Sequence, residues 1–109
     1  MGAIEAAVPE GVAGLGQLRL TGPLTAVTAP ALRSRVSEAV RHGQVQMVID
    51  LQAVTALDTA GIAALLEARR VLEAQPSGTL VLRANAVVCR ALKDTGTIAA
   101  FALWTGRGT

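Results

Sequence analysis

Between Val45 and Glu73 the chain passes from one pattern to another in a way that few folds accommodate. Met47-Val48-Ile49, leading to Asp50 and Leu51, is a short apolar run rich in β-branched residues. A strand with so little polar alternation is covered on both faces, as in parallel sheets. A turn is predicted over 52–57. Asp58 and Thr59 follow, and their side-chain oxygens are of the kind that accept bonds from the unpaired N–H groups of a helix start. Ile62, Leu65, Leu66, Ala68 and Leu72 then recur at helical spacing until Pro76-Ser77-Gly78 interrupts them.

The flanks extend the alternation. A weak strand is predicted at Ile4 to Val8, with Pro9 tolerated at its end. Leu18-Arg19-Leu20 reads as the next strand, closed by Thr21-Gly22-Pro23, and a loop runs from Leu24 to Val27. Thr28 as N-cap and Pro30 in the first turn open a helix whose apolar stripe is Leu32, Val36, Ala39 and Val40, with His42-Gly43 at its end. Thr79 to Arg83 is a strand, and a helix is expected over 86–94 with Val87, Val88, Ala91 and Leu92 inward. Thr95-Gly96-Thr97 stops it, and the form of 98–104 is left open. Strands alternating with helices imply a single α/β domain over 1–109, its core about 16–104 and its tail 105–109 loose. The sheet is expected to be mixed and four- to five-stranded, with the helices mainly on one face.

Composition narrows the functions. Half of the 109 residues are hydrophobic but only Phe101 and Trp104 are aromatic, so the core is aliphatic. Ten basic and eight acidic residues are dispersed along the chain. Neither a phosphate-tracking basic patch nor the aromatics for base stacking is present, which argues against nucleic acid. Cys89 is the only cysteine and His42 the only histidine. No disulfide can form within the chain, no metal site or cofactor motif is evident, and no nucleophile and base pair is available, so the chain is read as non-catalytic. Cys89 reads as a small buried hydrophobe and His42 as a surface or helix-end residue. No signal peptide or membrane span is read, which predicts a cytoplasmic protein without direct membrane insertion.

Three blocks carry a family resemblance. D-L-Q-A-V-T-A-L-D-T-A-G-I at 50–62 is similar to the central signature of the STAS domain family, the bacterial anti-sigma factor antagonists and their relatives, usually met as D-L-S-x-V-x-x-[LM]-D-S-[ST]-G-L. L-R-L-T-G-P-L-T-A-V-T-A-P-A-L at 18–32 and A-N-A-V-V-C-R-A-L-K-D-T-G at 84–96 resemble two further blocks of that family, in the right order. The resemblance implies a protein-interaction module that binds a cytoplasmic anti-sigma factor or a histidine-kinase-like ATPase and so regulates transcription. It implies that the loop 57–61 and the following helix form the docking surface. It also implies a phosphorylation switch at the Ser or Thr before the Gly, and here that position is Ala60.

Asp58 and Gly61 match the family, and Thr59 matches the hydroxyl residue that precedes the acceptor. The acidic residue usual after G-x-L is Thr25. Two departures at one site point to a binder without the usual switch, with Thr59 as the remaining hydroxyl that a kinase could modify. The predicted partner-binding residues are Thr25, Asp58, Thr59, Ala60, Gly61, Ile62 and Arg69. Asp58 and Thr59 also have a purely capping reading. On the helix from 61 to 74, Leu65, Ala68 and Leu72 are assigned to the sheet, while Ile62 and Leu66 lie towards a flank shared with Arg69 and Glu73. A competing reading is the STAS subunit of a phospholipid-transporting ABC complex, docking on its ATPase through a similar D-T-x-G loop. A homodimer, with Trp104 as one contact, is left open.

Overall fold

A computed structural model describes residues 3–7 and 15–104, with side chains described for 16–103. The strand end at Pro9, the side chain of Trp104 and the tail 105–109 lie outside them. Five strands, β1 (Ala3–Ala7), β2 (Leu15–Leu24), β3 (Gln46–Leu57), β4 (Thr79–Arg83) and β5 (Ala102–Trp104), form one sheet in sequence order. β1 is antiparallel to β2, and every later pair is parallel. The helices α1 (Ala29–Arg41), α2 (Thr59–Glu73) and α3 (Ala86–Asp94) each join one parallel strand to the next. Because the sheet is built in sequence order, right-handed crossovers all step the same way and lay their helices on the same face. The mixed sheet with helices on one face is the expected architecture.

The core lies between that face and the helices. Met47, Ile49 and Leu51 of β3 are at most 1% exposed and share one core with Leu65 and Leu72 of α2, which are fully buried. Ala68 shares that stripe, as expected, but so does Ile62, which is only 5% exposed and therefore core rather than flank. Ile62 stands three residues before Leu65, so the two project from nearly the same side of the helix. In α3 only Val88 and Leu92 are buried, and Val87 is exposed rather than inward. Cys89 is half-buried at the edge of the core.

The largest difference from the sequence reading is the length of the two central strands. β3 does not turn at Gln52 but continues to Leu57, and β2 runs through Thr21-Gly22-Pro23 to Leu24. β4 pairs with β3 only as far as Arg83, opposite Asp50, so the outer half of β3 has β2 as its one strand partner. Two register shifts, between Arg19 and Thr21 and between Gly22 and Pro23, place an extra β3 residue at each point. Such bulges bend a strand and spoil its period-two pattern. Gly22 takes φ 79°, and Pro23, which has no N–H to give, sits at the second irregularity.

Two polar side chains hold this overhang. The Asp50 carboxylate, 5% exposed on the helix-free face, accepts the Gln52 N–H at 3.0 Å through Oδ1 and lies 3.7 Å from Arg83 Nη1 through Oδ2. Asn85 is the N-cap of α3: its Oδ1 accepts the Val88 N–H at 2.9 Å, while its amide donates to Gln52 O at 3.0 Å and Val54 O at 2.8 Å. The carbonyls that β4 leaves behind are thus satisfied by the N-cap residue of the next helix. Segment 98–104 resolves into a short 3-10 turn, Ile98–Ala100, followed by β5.

Candidate docking site at the start of α2

β3 ends at Leu57 beside the end of β2 at Leu24, and the paired overhang brings the β2–α1 turn against the β3–α2 junction. The Leu24 carbonyl is the shared point: it accepts the Asp58 N–H at 3.3 Å. The first turn of α2 passes so close to this oxygen that a Cβ on Gly61 would stand 2.3 Å from it and 2.8 Å from Leu57 Cδ1. Glycine is therefore required here by space, its φ being ordinary. Asp58 has extended backbone angles, φ −102° and ψ −177°, and its Oδ1 accepts the Gly61 N–H at 2.9 Å. Its carbonyl accepts the Ile62 N–H at 3.0 Å. The capping role expected of Asp58 is observed; Thr59 begins the helix itself.

Asp58 and Thr59 are exposed, Ala60 is half-buried and Gly61 is buried. Thr25 is half-buried beside them, one residue beyond Leu24. Thr28 stands at the N-cap position of α1, but its hydroxyl caps nothing. It accepts the Thr25 N–H at 2.9 Å and donates to Pro23 O at 3.0 Å, bracing the turn from inside. The same turn is closed by Ala29 N–H to Thr25 O at 2.8 Å and leaves Val27 outside, 87% exposed.

Thr25, Asp58, Thr59, Ala60 and Gly61 are thus brought together, with Ile62 beneath them in the core. Arg69 is not part of the cluster. It lies ten residues along α2 from Thr59, about 15 Å at helical rise, where it pairs with Glu73 at 3.5 Å. Leu66, half-buried, shares a shallow depression with Arg69, Arg70 and Glu73. Arg33 of α1 reaches Glu67 at 3.0 Å and ties the two helices together on their outer side. Near the other end of α1, His42 Nδ1–H donates to Glu38 O at 2.8 Å.

Among the described residues no group of three or more His, Cys, Asp or Glu side chains could hold a metal ion, and no helix is long and apolar enough to cross a membrane. The junction is braced and solvent-facing, with its backbone geometry fixed from two strands.

The STAS domain model matches residues 3–106, nearly the whole chain. The chain belongs to the STAS domain family. Solved structures agree on the fold. An anti-sigma factor antagonist from Mycobacterium paratuberculosis superposes with a TM-score of 0.78 at 24% identity, covering 99% of this chain and 89% of that one. The Bacillus cell fate determinant SpoIIAA in its phosphorylated form gives 0.71 at 18% identity, over 97% of this chain and 95% of that one. A sulfate transporter family protein from Wolinella succinogenes gives 0.70 at 22% identity, over 84% and 74%. No curated protein sequence is a significant match.

Three parts of the junction have no separate signal in the sequence. The Leu24 carbonyl belongs to the backbone, and the Asn85 donors look like ordinary turn chemistry. Val27 reads as a plain loop residue, and only the two hydroxyl bonds of Thr28 show why it is held in the open.

Proposed function

We propose that this STAS domain is a non-catalytic anti-sigma factor antagonist of the cytoplasm, which docks on an anti-sigma factor or histidine-kinase-like ATPase through residues 57–61 and the start of α2. The observation that carries this reading is the corner of exposed Asp58 and Thr59 and half-buried Ala60, locked to Leu24 on one side and to α2 on the other. Similarity in fold to anti-sigma factor antagonists supports it. Contact is made by Thr25, Asp58, Thr59 and Ala60. Gly61 and Ile62 set the corner's height from below, and Arg69 meets only a partner that extends along α2.

Ala60 occupies the position where the family carries its phosphate acceptor, so this domain binds without the usual switch. A kinase that transfers the γ-phosphoryl group of ATP finds a hydroxyl only at Thr59, in the first turn of α2. Titration of purified anti-sigma factors from the same genome with wild type and Asp58→Arg tests the docking. Wild type should bind and Asp58→Arg should lose about tenfold or more, since an interface carboxylate replaced by a cation brings repulsion where there was attraction. Incubation of wild type and Ala60→Ser with kinase and ATP, followed by mass spectrometry, tests the missing switch. A phosphate is expected on the introduced serine of the variant and on neither Thr59 nor any other residue of the wild type; phosphate on wild-type Thr59 would overturn the switchless reading.

A second reading is the STAS component of a phospholipid-transporting ABC complex, docked on its ATPase by the same corner. Thr25 together with Asp58-Thr59-Ala60-Gly61 favours it, and a transporter protein is among the similar folds. Permease and lipid-binding genes beside this one, in place of a sigma factor, would select it.

A further inference from the structure

The parallel strands β2, β3 and β4 deliver their helix connections to the same end of the sheet, with α2 starting between α1 and α3. Charge is nearly missing from the described segments of that rim. Segments 24–32, 51–66 and 84–89 contain one charged side chain, Asp58, in a chain with ten basic and eight acidic residues. Asp50 and Arg83, the nearest others on the strands, pair with each other on the helix-free face. The described chain has two exposed large hydrophobic residues, Val27 at 87% and Val87 at 45%, and Val27 is on that rim. Val27 lies in the turn between β2 and α1, beside the start of α2, whereas Val87 opens α3 where β4 ends, level with the middle of β3.

Val27 is not exposed for want of order. Both lone pair and proton of the Thr28 hydroxyl are used to hold the turn, and Thr25 O accepts from Thr28 N–H and Ala29 N–H. A valine presented on a braced turn needs little further ordering when it is buried by a partner, so more of its burial free energy appears as affinity. Depletion of charge with retained apolar anchors is also the composition of an interface core, whereas mixed charge marks a rim. Anionic ligands such as nucleotides, phosphopeptides or acidic lipid surfaces would call for cations at this end, and the segments supply none.

We infer that the rim is a dry docking surface in which Val27 is the apolar anchor and Asp58 the single electrostatic contact, fitted to a protein partner with an apolar socket for the valine and one basic side chain facing the carboxylate. Asp58 Oδ1 is occupied by the Gly61 N–H, and a carboxylate has acceptor capacity beyond one bond. This inference rests on the docking reading above and adds the chemistry of the partner. Salt dependence follows from it. One ion pair is screened by salt, and apolar contact is not, so affinity should be nearly independent of ionic strength.

The test uses the purified anti-sigma factor that binds the wild-type chain, with calorimetric titration at about 50 and about 500 mM salt, settings chosen to span about a threefold change in Debye length. The variants are Val27→Asp, Val27→Ala and Asp58→Asn; the last keeps an oxygen for the Gly61 N–H. Expected losses are about tenfold or more for Val27→Asp, about fivefold for Val27→Ala and about fivefold for Asp58→Asn, the range of an interface anchor. The urea midpoints of all three should stay at the wild-type value, because neither changed group is buried. Wild-type affinity should change by less than about threefold with salt. Val27→Asp binding within about twofold of wild type, or a wild-type affinity that drops more than about tenfold at high salt, would overturn the inference and leave the docking reading standing. Failure of wild type to bind any anti-sigma factor removes both. Sedimentation of the chain alone covers the remaining occupant: a dimer that Val27→Asp dissolves would assign the rim to a second copy and overturn the proposed partner.

Discussion

Gly61→Ala separates two ways of thinking about the junction, because they give opposite signs. Gly61 is in the first turn of a 15-residue helix, and by helix propensity alone alanine there should stabilise by about 1 kcal/mol. The structure says otherwise. The new methyl carbon would lie 2.3 Å from Leu24 O and 2.8 Å from Leu57 Cδ1, and the first obstacle is backbone, which cannot rotate away. Relief requires the start of α2 to withdraw by about 1 Å to reach an ordinary non-bonded separation. That movement stretches the Asp58 N–H to Leu24 O bond, already 3.3 Å, beyond bonding distance. Forced overpacking costs about 1–3 kcal/mol and a lost hydrogen bond about 1 kcal/mol. Set against the propensity gain, the net is a destabilisation of about 1–3 kcal/mol. Urea unfolding of wild type and variant, followed by far-ultraviolet circular dichroism, should show a lower midpoint with an unchanged slope. A midpoint at or above the wild-type value would show that α2 is free to slide away from β2, and the idea of a corner set by the Leu24 carbonyl would be abandoned.

Asn85→Ala removes one capping bond and two donor bonds to the β3 overhang, and about 2–3 kcal/mol should be lost. Asn85→Asp retains the cap but turns the donors into acceptors facing Gln52 O and Val54 O; if the donors matter, thermal unfolding will place it no higher than the alanine variant. Asp50→Asn keeps an acceptor for the Gln52 N–H and gives up the charge opposite Arg83, for a loss of about 1 kcal/mol, whereas Asp50→Leu should lose about 2–4 kcal/mol through unpaired groups; chemical denaturation ranks the pair. Ile62→Asp should fail to fold or lose at least about 3 kcal/mol, because it puts a carboxylate into the aliphatic core. Its soluble yield and circular dichroism spectrum check this before any binding experiment is interpreted.

The elements easiest to read in the sequence are those whose determinants are local. β4 and α3 fall at their expected places, because Pro76-Ser77-Gly78 and Thr95-Gly96-Thr97 stop the chain within a few residues and Asp58 caps α2 with its own side chain. The long halves of β2 and β3 are illegible for the opposite reason. Their bulges scramble the alternation, and the groups that replace a missing ladder partner come from Asn85, more than thirty residues away. Val87 shows the same limit in a helix. A nine-residue helix buries one narrow stripe, and whether that stripe is centred on Val87 or Val88 depends on how Asn85 is tied to β3. Ile62 is legible in principle, since its spacing to Leu65 is that of neighbours on one face. Its assignment to a flank gives Arg69 and Glu73 more weight than the period itself.

These dependencies bear on how the proposed docking surface would persist without a phosphorylation switch. The height and direction of the corner are set by the Leu24 carbonyl, the Asp58 cap and the missing side chain at Gly61. None of the three uses the side chain of residue 60, which is half-buried and carries only a methyl group. An acceptor hydroxyl at that position could therefore be gained or lost with little structural consequence, while a change at position 61 or 24 alters the corner itself. On the proposed reading, regulation by phosphate and recognition by shape rest on different residues of the same turn. In this chain the residues of shape are in place, and the surface they raise is nearly without charge except for one carboxylate. On the proposed reading, a partner matched to it finds its specificity in the fit of apolar side chains, with Val27 as the first of them.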